Sequence, residues 1–336
     1  MEQNENLQNE NLQGETFAGF ENLLMPEKEF TAVCKTIVPE EELMVCKKCR
    51  RNVAISAICM LLGIALGVLL TQLNIFAGVI VAIVSLIFGI VFMIKKRYKW
   101  DNFKGKYGSI AIEKLLPGYV HKYSHDKWIG GWVLRKCGFV DTSFDSCGGE
   151  DLLTIDIPND DGTPSGVQLS ICDAWATRTD KYMVTKTDSN GKTYQEEEEV
   201  TVTLYDGVIG YVHFPFKFKC NIGINASLPK TKKIPTEDIA FNRTFKFKTD
   251  DKLEALCILT PTLMQKLKVF NSRNRKLKIT LMKSGAIYFG MKRNLFKLTA
   301  KRGGPNGRVF KRFYNDIYDI LSLVNEIKIN NKVFKM

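Results

Sequence analysis

Histidine is scarce in this chain, with three in 336 residues. The sequence also lacks a Gly-x-Ser-x-Gly elbow, a dinucleotide-binding glycine fingerprint, a kinase signature set and the Gly-Lys-Ser/Thr ending of a P-loop. With so few imidazoles, proton transfer would fall to carboxylates that no motif picks out. The balance leans away from an enzyme, and neither a cofactor nor a metal is expected. The nine cysteines are odd in number and scattered, which excludes a small disulfide scaffold and predicts reduced thiols in the cytosol. No cleavable signal is visible, since the N-terminus is acidic and the first apolar run begins some fifty residues in.

Charge is missing altogether from residues 52–94. A helix crossing about 30 Å of hydrocarbon needs roughly 20 apolar residues, and this block is about twice that long. It breaks once, at Thr71-Gln72-Leu73-Asn74, which predicts two membrane helices at about 52–71 and 75–94. Gly63, Ala65 and Gly67 in the first, with Gly78, Ala82 and Gly89 in the second, would let the backbones pack closely. Lys47, Lys48, Arg50 and Arg51 precede the pair, and Lys95, Lys96, Arg97 and Lys99 follow it. By the positive-inside rule both flanks and both termini are cytoplasmic, giving a multi-pass protein of the cell membrane.

Three regions follow from this. Residues 1–38 are acidic, with a repeated pentad (Asn4–Gln8, Asn9–Gln13), and are read as disordered or partly helical around Phe17 to Met25. Residues 39–99 hold a helix beginning at Pro39-Glu40-Glu41-Glu42 and running into the hairpin. Residues 100–336 form a cytoplasmic domain. Trp100, Phe103, Tyr107 and Ile110 recur at helical spacing, up to Pro117-Gly118. Residues 130–215 read as strands, with a hairpin at Asn190-Gly191 and a turn or bulge at Asp206-Gly207. Thr260-Pro261 caps a helix, Ser284-Gly285 turns a strand pair over 276–292, and a last helix spans about 308–327. Phe310, Phe313, Ile317, Ile320, Leu321 and Val324 share one of its faces. Helices and strands do not alternate regularly, so the predicted class is a membrane-anchored α+β protein with a mixed helix and antiparallel-sheet domain.

This order of features resembles a bacterial family known only as a domain of unknown function, number 3137. The resemblance runs over about residues 45–330. It rests on Tyr107…Pro117-Gly118, Gly149-Glu150-Asp151-Leu152, Tyr205-Asp206-Gly207, Leu253–Leu259, Thr260-Pro261-Thr262-Leu263-Met264 and Gly285-Ala286-Ile287-Tyr288. It implies a membrane anchor and a cytoplasmic α+β domain, and it transfers no catalytic residue.

Acid is absent from residues 266–312, which hold fifteen lysines and arginines. Lys266, Lys268, Lys276, Lys278, Lys292, Arg293, Lys301, Arg302 and Arg308 are the candidate contacts to an anionic lipid surface. A solvated face rich in lysine for solubility explains the same charge, and nucleic acid is not the expected partner. His121 and His125, beside Asp126, stand four apart, and Cys46 and Cys49 form a Cys-x-x-Cys unit; neither set reaches the four ligands of a structural zinc. The leading expectation is a membrane-tethered cytoplasmic binding or scaffold module. Its partners would be the bilayer and either anionic head groups or an unidentified protein. The alternatives are a membrane-tethered enzyme of unknown reaction, or a binder of anionic lipid or nucleic acid through the basic segment 266–312.

Overall fold

The computed structural model describes residues 25–96, 100–117, 119–159, 164–187, 189, 191–274, 276–296 and 307–333. The pentad repeat, Lys301 and Arg302 lie outside the described residues. The chain forms two compact units, one holding Glu27–Lys114 with 307–311 and the other residues 115–296 with 312–333.

The first unit is helical. Helix α1 (Glu27–Ile37) ends ahead of Pro39, and α2 (Glu40–Leu70) starts directly after it, with Glu40, Glu41 and Glu42 in its first turn. Proline cannot continue α1 but suits the entry to α2, and the three carboxylates complement the positive end of the helix dipole. The expected juxtamembrane helix and first span are thus one uninterrupted helix. It stops where Thr71 N donates to Gly67 O and Leu73 N to Leu70 O. Asn74 then caps α3 (Ile75–Lys96), its Oδ1 accepting from Ala77 N at 3.2 Å. The break falls where the sequence places it. A Cβ added to Gly63 would run into Ser85, one on Gly67 into Ala82 and Gly78, and one on Gly89 into Met60. These small residues are what allow α2 and α3 to lie against each other. Both helices are long and apolar enough to cross a membrane. Helix α4 (Trp100–Leu115) packs into the same unit, with Tyr107 donating to Glu42 Oε2 at 3.1 Å and Lys114 Nζ to Thr36 O at 2.8 Å.

The second unit is built on one antiparallel sheet. Its strands in chain order are β1 (His121–Ser124), β2 (Ser146–Pro158), β3 (Pro164–Thr187), β4 (Thr193–His213), β5 (Ile222–Ile224), β6 (Lys232–Lys233), β7 (Phe247–Thr249), β8 (Lys278–Leu281) and β9 (Ala286–Met291). Among the described residues they lie in the order β1-β2-β3-β4-β9-β8-β5-β7-β6. Helix α5 (Gly131–Lys136) interrupts the stretch expected to be all strand. The remaining helices are α6 (Ile239–Thr244), α7 (Lys252–Ile258), α8 (Pro261–Asn274) and α9 (Gly307–Val333).

The sheet is covered on both faces, which is why β9 reads as a continuous apolar run and is buried throughout. On one face Val133, Leu134, Cys137 and Phe139 pack with Cys172, Ala174, Tyr205, Ile209 and Tyr288. On the other, Ile222, Ile279 and Leu281 meet Ile258, Leu263 and Leu267 of α7 and α8, and Ile327 of α9. Phe310, Phe313, Ile317, Ile320, Leu321 and Val324 are all buried, as the helical spacing predicts. Thr260 Oγ1 accepts from Leu263 N at 3.2 Å at the start of α8, confirming the cap. Gly285, at φ +91°, turns β8 into β9 as expected. Asp206-Gly207 does not turn the chain: β4 runs straight through, and the irregularity lies at Leu204, where Ala176 pairs Tyr205 but Thr177 pairs Thr203. Asn190 lies outside the described residues, and Gly191, at φ +80°, stands just before β4.

Candidate functional site

Two adjacent acids interrupt β2. The pairing of β2 with β3 slips between Glu150 and Leu153, leaving Asp151 in the left-handed region at φ +65° with a fully buried side chain. Aspartate is among the few residues that tolerate that backbone conformation. The backbone holds it there: Asp151 N donates to His125 O at 2.8 Å, and Leu152 N to Lys127 O at 3.0 Å. The Asp151 carboxylate then receives Tyr123 OH at 2.5 Å and His125 Nδ1 at 2.6 Å, both on Oδ1.

An imidazole nitrogen so close to a carboxylate oxygen carries the proton, so Nε2 is the acceptor of the neutral ring. His125 is part-exposed and Asp151 is not, so a buried carboxylate orients an accessible imidazole. Burial, reinforced by the charge of Asp151, holds the Tyr123 phenol well above its ordinary pKa, so it stays a donor. The Tyr123 ring stacks on Phe296 at 5.9 Å. Phe296 N and Leu295 N in turn donate to buried Asp173, the register partner of Glu150. Burial pushes the neighbouring Cys172 thiol up to about 12, which keeps it protonated.

Among the described residues, His125, Glu150 and Asp151 each bring one ligand atom within 4.8 Å of the others. As the side chains stand, the Asp151 oxygen is engaged with Tyr123 and His125, so the arrangement is a hydrogen-bonded histidine dyad. His121 belongs to a different environment. It lies on β1, not on a helix shared with His125, and its Nδ1 faces Tyr119 O at 2.8 Å. Cys46 and Cys49 sit on α2, and the nine cysteines, all among the described residues, form no disulfide.

The cations of the basic segment are dispersed. Lys266 is paired with Glu326 at 2.6 Å, both nearly out of solvent, and Lys268 with Asp238 at 2.8 Å. Lys278 donates to Phe139 O at 2.5 Å, and burial, with the charge of Lys292 second, pulls its amine below the ordinary lysine value. Arg293 meets buried Asp316 at 2.6 Å. Lys276 and Lys292 are exposed. Arg308 lies in the first turn of α9. The acids that balance these cations come from distant segments, which spacing alone could not reveal.

Residues 203–329 match a family model described as "Protein of unknown function (DUF3137)". The match covers well under half of the 336-residue chain. It spans β4 from Thr203 through most of α9 and takes in Tyr205-Asp206-Gly207, Thr260–Met264 and Gly285–Tyr288 from the sequence reading. The match begins beyond the apolar helices and beyond Asp151, so the dyad stands outside the DUF3137 segment. No curated protein and no solved structure matches the chain. The acid centre itself carried one sequence signal: Gly148-Gly149-Glu150-Asp151 breaks the apolar alternation of Leu153, Ile155 and Ile157, as a bulge does.

Proposed function

We propose that the protein is a membrane-anchored module whose α2–α3 pair crosses the bilayer and whose sheet unit, including the segment that matches DUF3137, binds a protein partner on the cytoplasmic side. One observation carries the anchor. Most of the exposed large hydrophobic side chains lie between Met44 and Ile94, with Leu62 at 65%, Phe76 at 82% and Phe88 at 69%. A soluble protein does not leave so long an apolar surface in water. The basic segment gives less support to a lipid-surface role, because Lys266, Lys268, Lys278 and Arg293 have internal partners. Among the described side chains of this segment, Lys276, Lys283, Lys292, Lys311 and Arg312 are exposed, and Lys283 is paired with Asp250. Extraction of membranes with alkaline carbonate tests the anchor. The full chain is expected to stay in the pellet, and its release into the supernatant would overturn the reading.

The Asp151–His125 dyad favours a second reading, an enzyme in which His125 Nε2 takes up a proton. Purified chain and its His125→Gln variant, screened side by side on ester and phosphoester substrates, would support it by a turnover lost at least tenfold in the variant. Equal rates would remove it.

A further inference from the structure

Strands β3 and β4 outrun the sheet that holds them. Strand β2 leaves β3 at Ser146↔Thr177, and β9 pairs β4 only from Val208 onward. Beyond those points Arg178–Thr187 and Thr193–Val202 pair only with each other, ten residues to a strand and in unbroken register. This two-stranded ribbon reaches roughly 30 Å at about 3.4 Å per residue. A lone two-stranded ribbon is marginal in water. It also exposes Tyr182, Met183, Tyr194 and Val200.

Its two edges differ. The outward groups of β3 are fixed by their last contacts with the body: Asp145 N donates to Thr177 O at 3.0 Å, and Thr179 N donates to Asp145 Oδ2 at 2.7 Å. Backbone groups alternate along an antiparallel strand, so Lys181, Met183, Thr185 and Thr187 turn N–H and C=O away from β4. That row ends no ladder and contains no proline or bulge. The β4 edge carries Glu196, Glu197, Glu198 and Glu199 in succession; Lys181 and Lys186 pair with them across the ribbon, and the acid left in excess opposes pairing with its own kind.

We infer that the β3 edge is a self-association surface: a second copy of the chain pairs antiparallel along it, with Met183 on the two-fold axis. The sequence is self-complementary in that register. Met183 meets Met183, Tyr182 meets Val184, Lys181 meets Thr185, and Asp180 meets Lys186 of the second copy. Like charges never fall opposite. Lys186 keeps Glu196 and Glu198 across its own ribbon, and the Asp180 it would face in the second copy keeps its bidentate pair with Arg178. Centring β4 on β4 at the same level would set glutamate against glutamate. The inference deepens the binding-module reading by naming the partner.

In the Met183-centred pair, the two Cα atoms at position 183 would stand about 5.5 Å apart, inside the span of about 4.4–6.8 Å that a disulfide bridges. Those at position 187 would be about 27 Å apart, being eight residues out of register at about 3.4 Å each. Full chain carrying Met183→Cys, in detergent or nanodiscs under mild oxidation, is expected to give at least five times the disulfide dimer of the Thr187→Cys and unsubstituted chains. Equal yields, or dimer with Thr187→Cys alone, would overturn the register. Met183→Pro is the second arm. It removes an N–H that faces away from β4, so the ribbon ladder survives, and the mass in solution is expected to fall from dimer to monomer. A wild-type chain that is already monomeric, or a proline variant that stays dimeric, would overturn the surface. Should the proline variant fail to fold, the cysteine arm decides. Loss of the dimer with the chain still in the carbonate pellet sinks only this inference, and release by carbonate with the dimer intact sinks only the anchor.

Discussion

Asp151 shows how one residue can be held in an unfavourable place by several partners. Its backbone occupies the left-handed region and its carboxylate is out of water, yet Tyr123 and His125 both donate to it. Removing the acceptor strands a half-buried phenol and an imidazole N–H. Asp151→Ala is therefore expected to cost about 1–3 kcal/mol, and Asp151→Asn less, since asparagine tolerates this φ and keeps an acceptor oxygen. Thermal unfolding of the two variants against wild type checks the order, and equal losses would show that the carboxylate is not what the site requires. The sequence offered the acids but not their partners. His125 invited pairing with His121 four residues away, whereas its true neighbour is 26 positions distant, brought close by the pairing of β1 with β2.

The elements most legible in the sequence are those whose pattern is local and long. The α2–α3 pair, the cap at Thr260, the turn at Gly285 and the buried face of α9 all follow from periodicity or from a residue that one conformation demands. The short pieces did not: β5 and β7 are three residues each and exist because neighbouring strands supply their hydrogen bonds. Helix α5 hid in a stretch dominated by strand signals. The same logic separates the cations. Their one-sided charge was visible, but Glu326, Asp238 and Asp316 reach them only through the tertiary fold. On α9, Leu321 is 4% exposed. Leu321→Ala is expected to lose about 2–5 kcal/mol in a denaturant titration of the detergent-solubilised protein, and a loss under about 0.5 kcal/mol would place this face in solvent.

At the scale of the whole molecule, the proposed anchor predicts a sidedness. Cys137 is a poor reporter of it, being fully buried with a thiol pushed up to about 11, so silence toward a thiol reagent would say nothing about the membrane. Leu73→Cys in the exposed α2–α3 turn and Lys232→Cys on exposed β6 report without that ambiguity. An impermeant maleimide is expected to label position 73 in intact cells and position 232 only after lysis. Labelling at 232 before lysis would invert the topology.

The four consecutive glutamates of β4 have a consequence for how large any assembly through the ribbon can become. An edge that accepts a strand normally creates a new edge, and addition can then continue without limit into a fibre. Here the strand that joins β3 brings its own β4 to the outside, lined with Glu196 to Glu199. The newcomer presents a repelling margin, so the ladder is capped at both ends by the act of forming. Stoichiometry is thereby written into the side of the ribbon that makes no contact, and a chain whose glutamates were neutralised would be expected to lose its stopping point before it lost its fold.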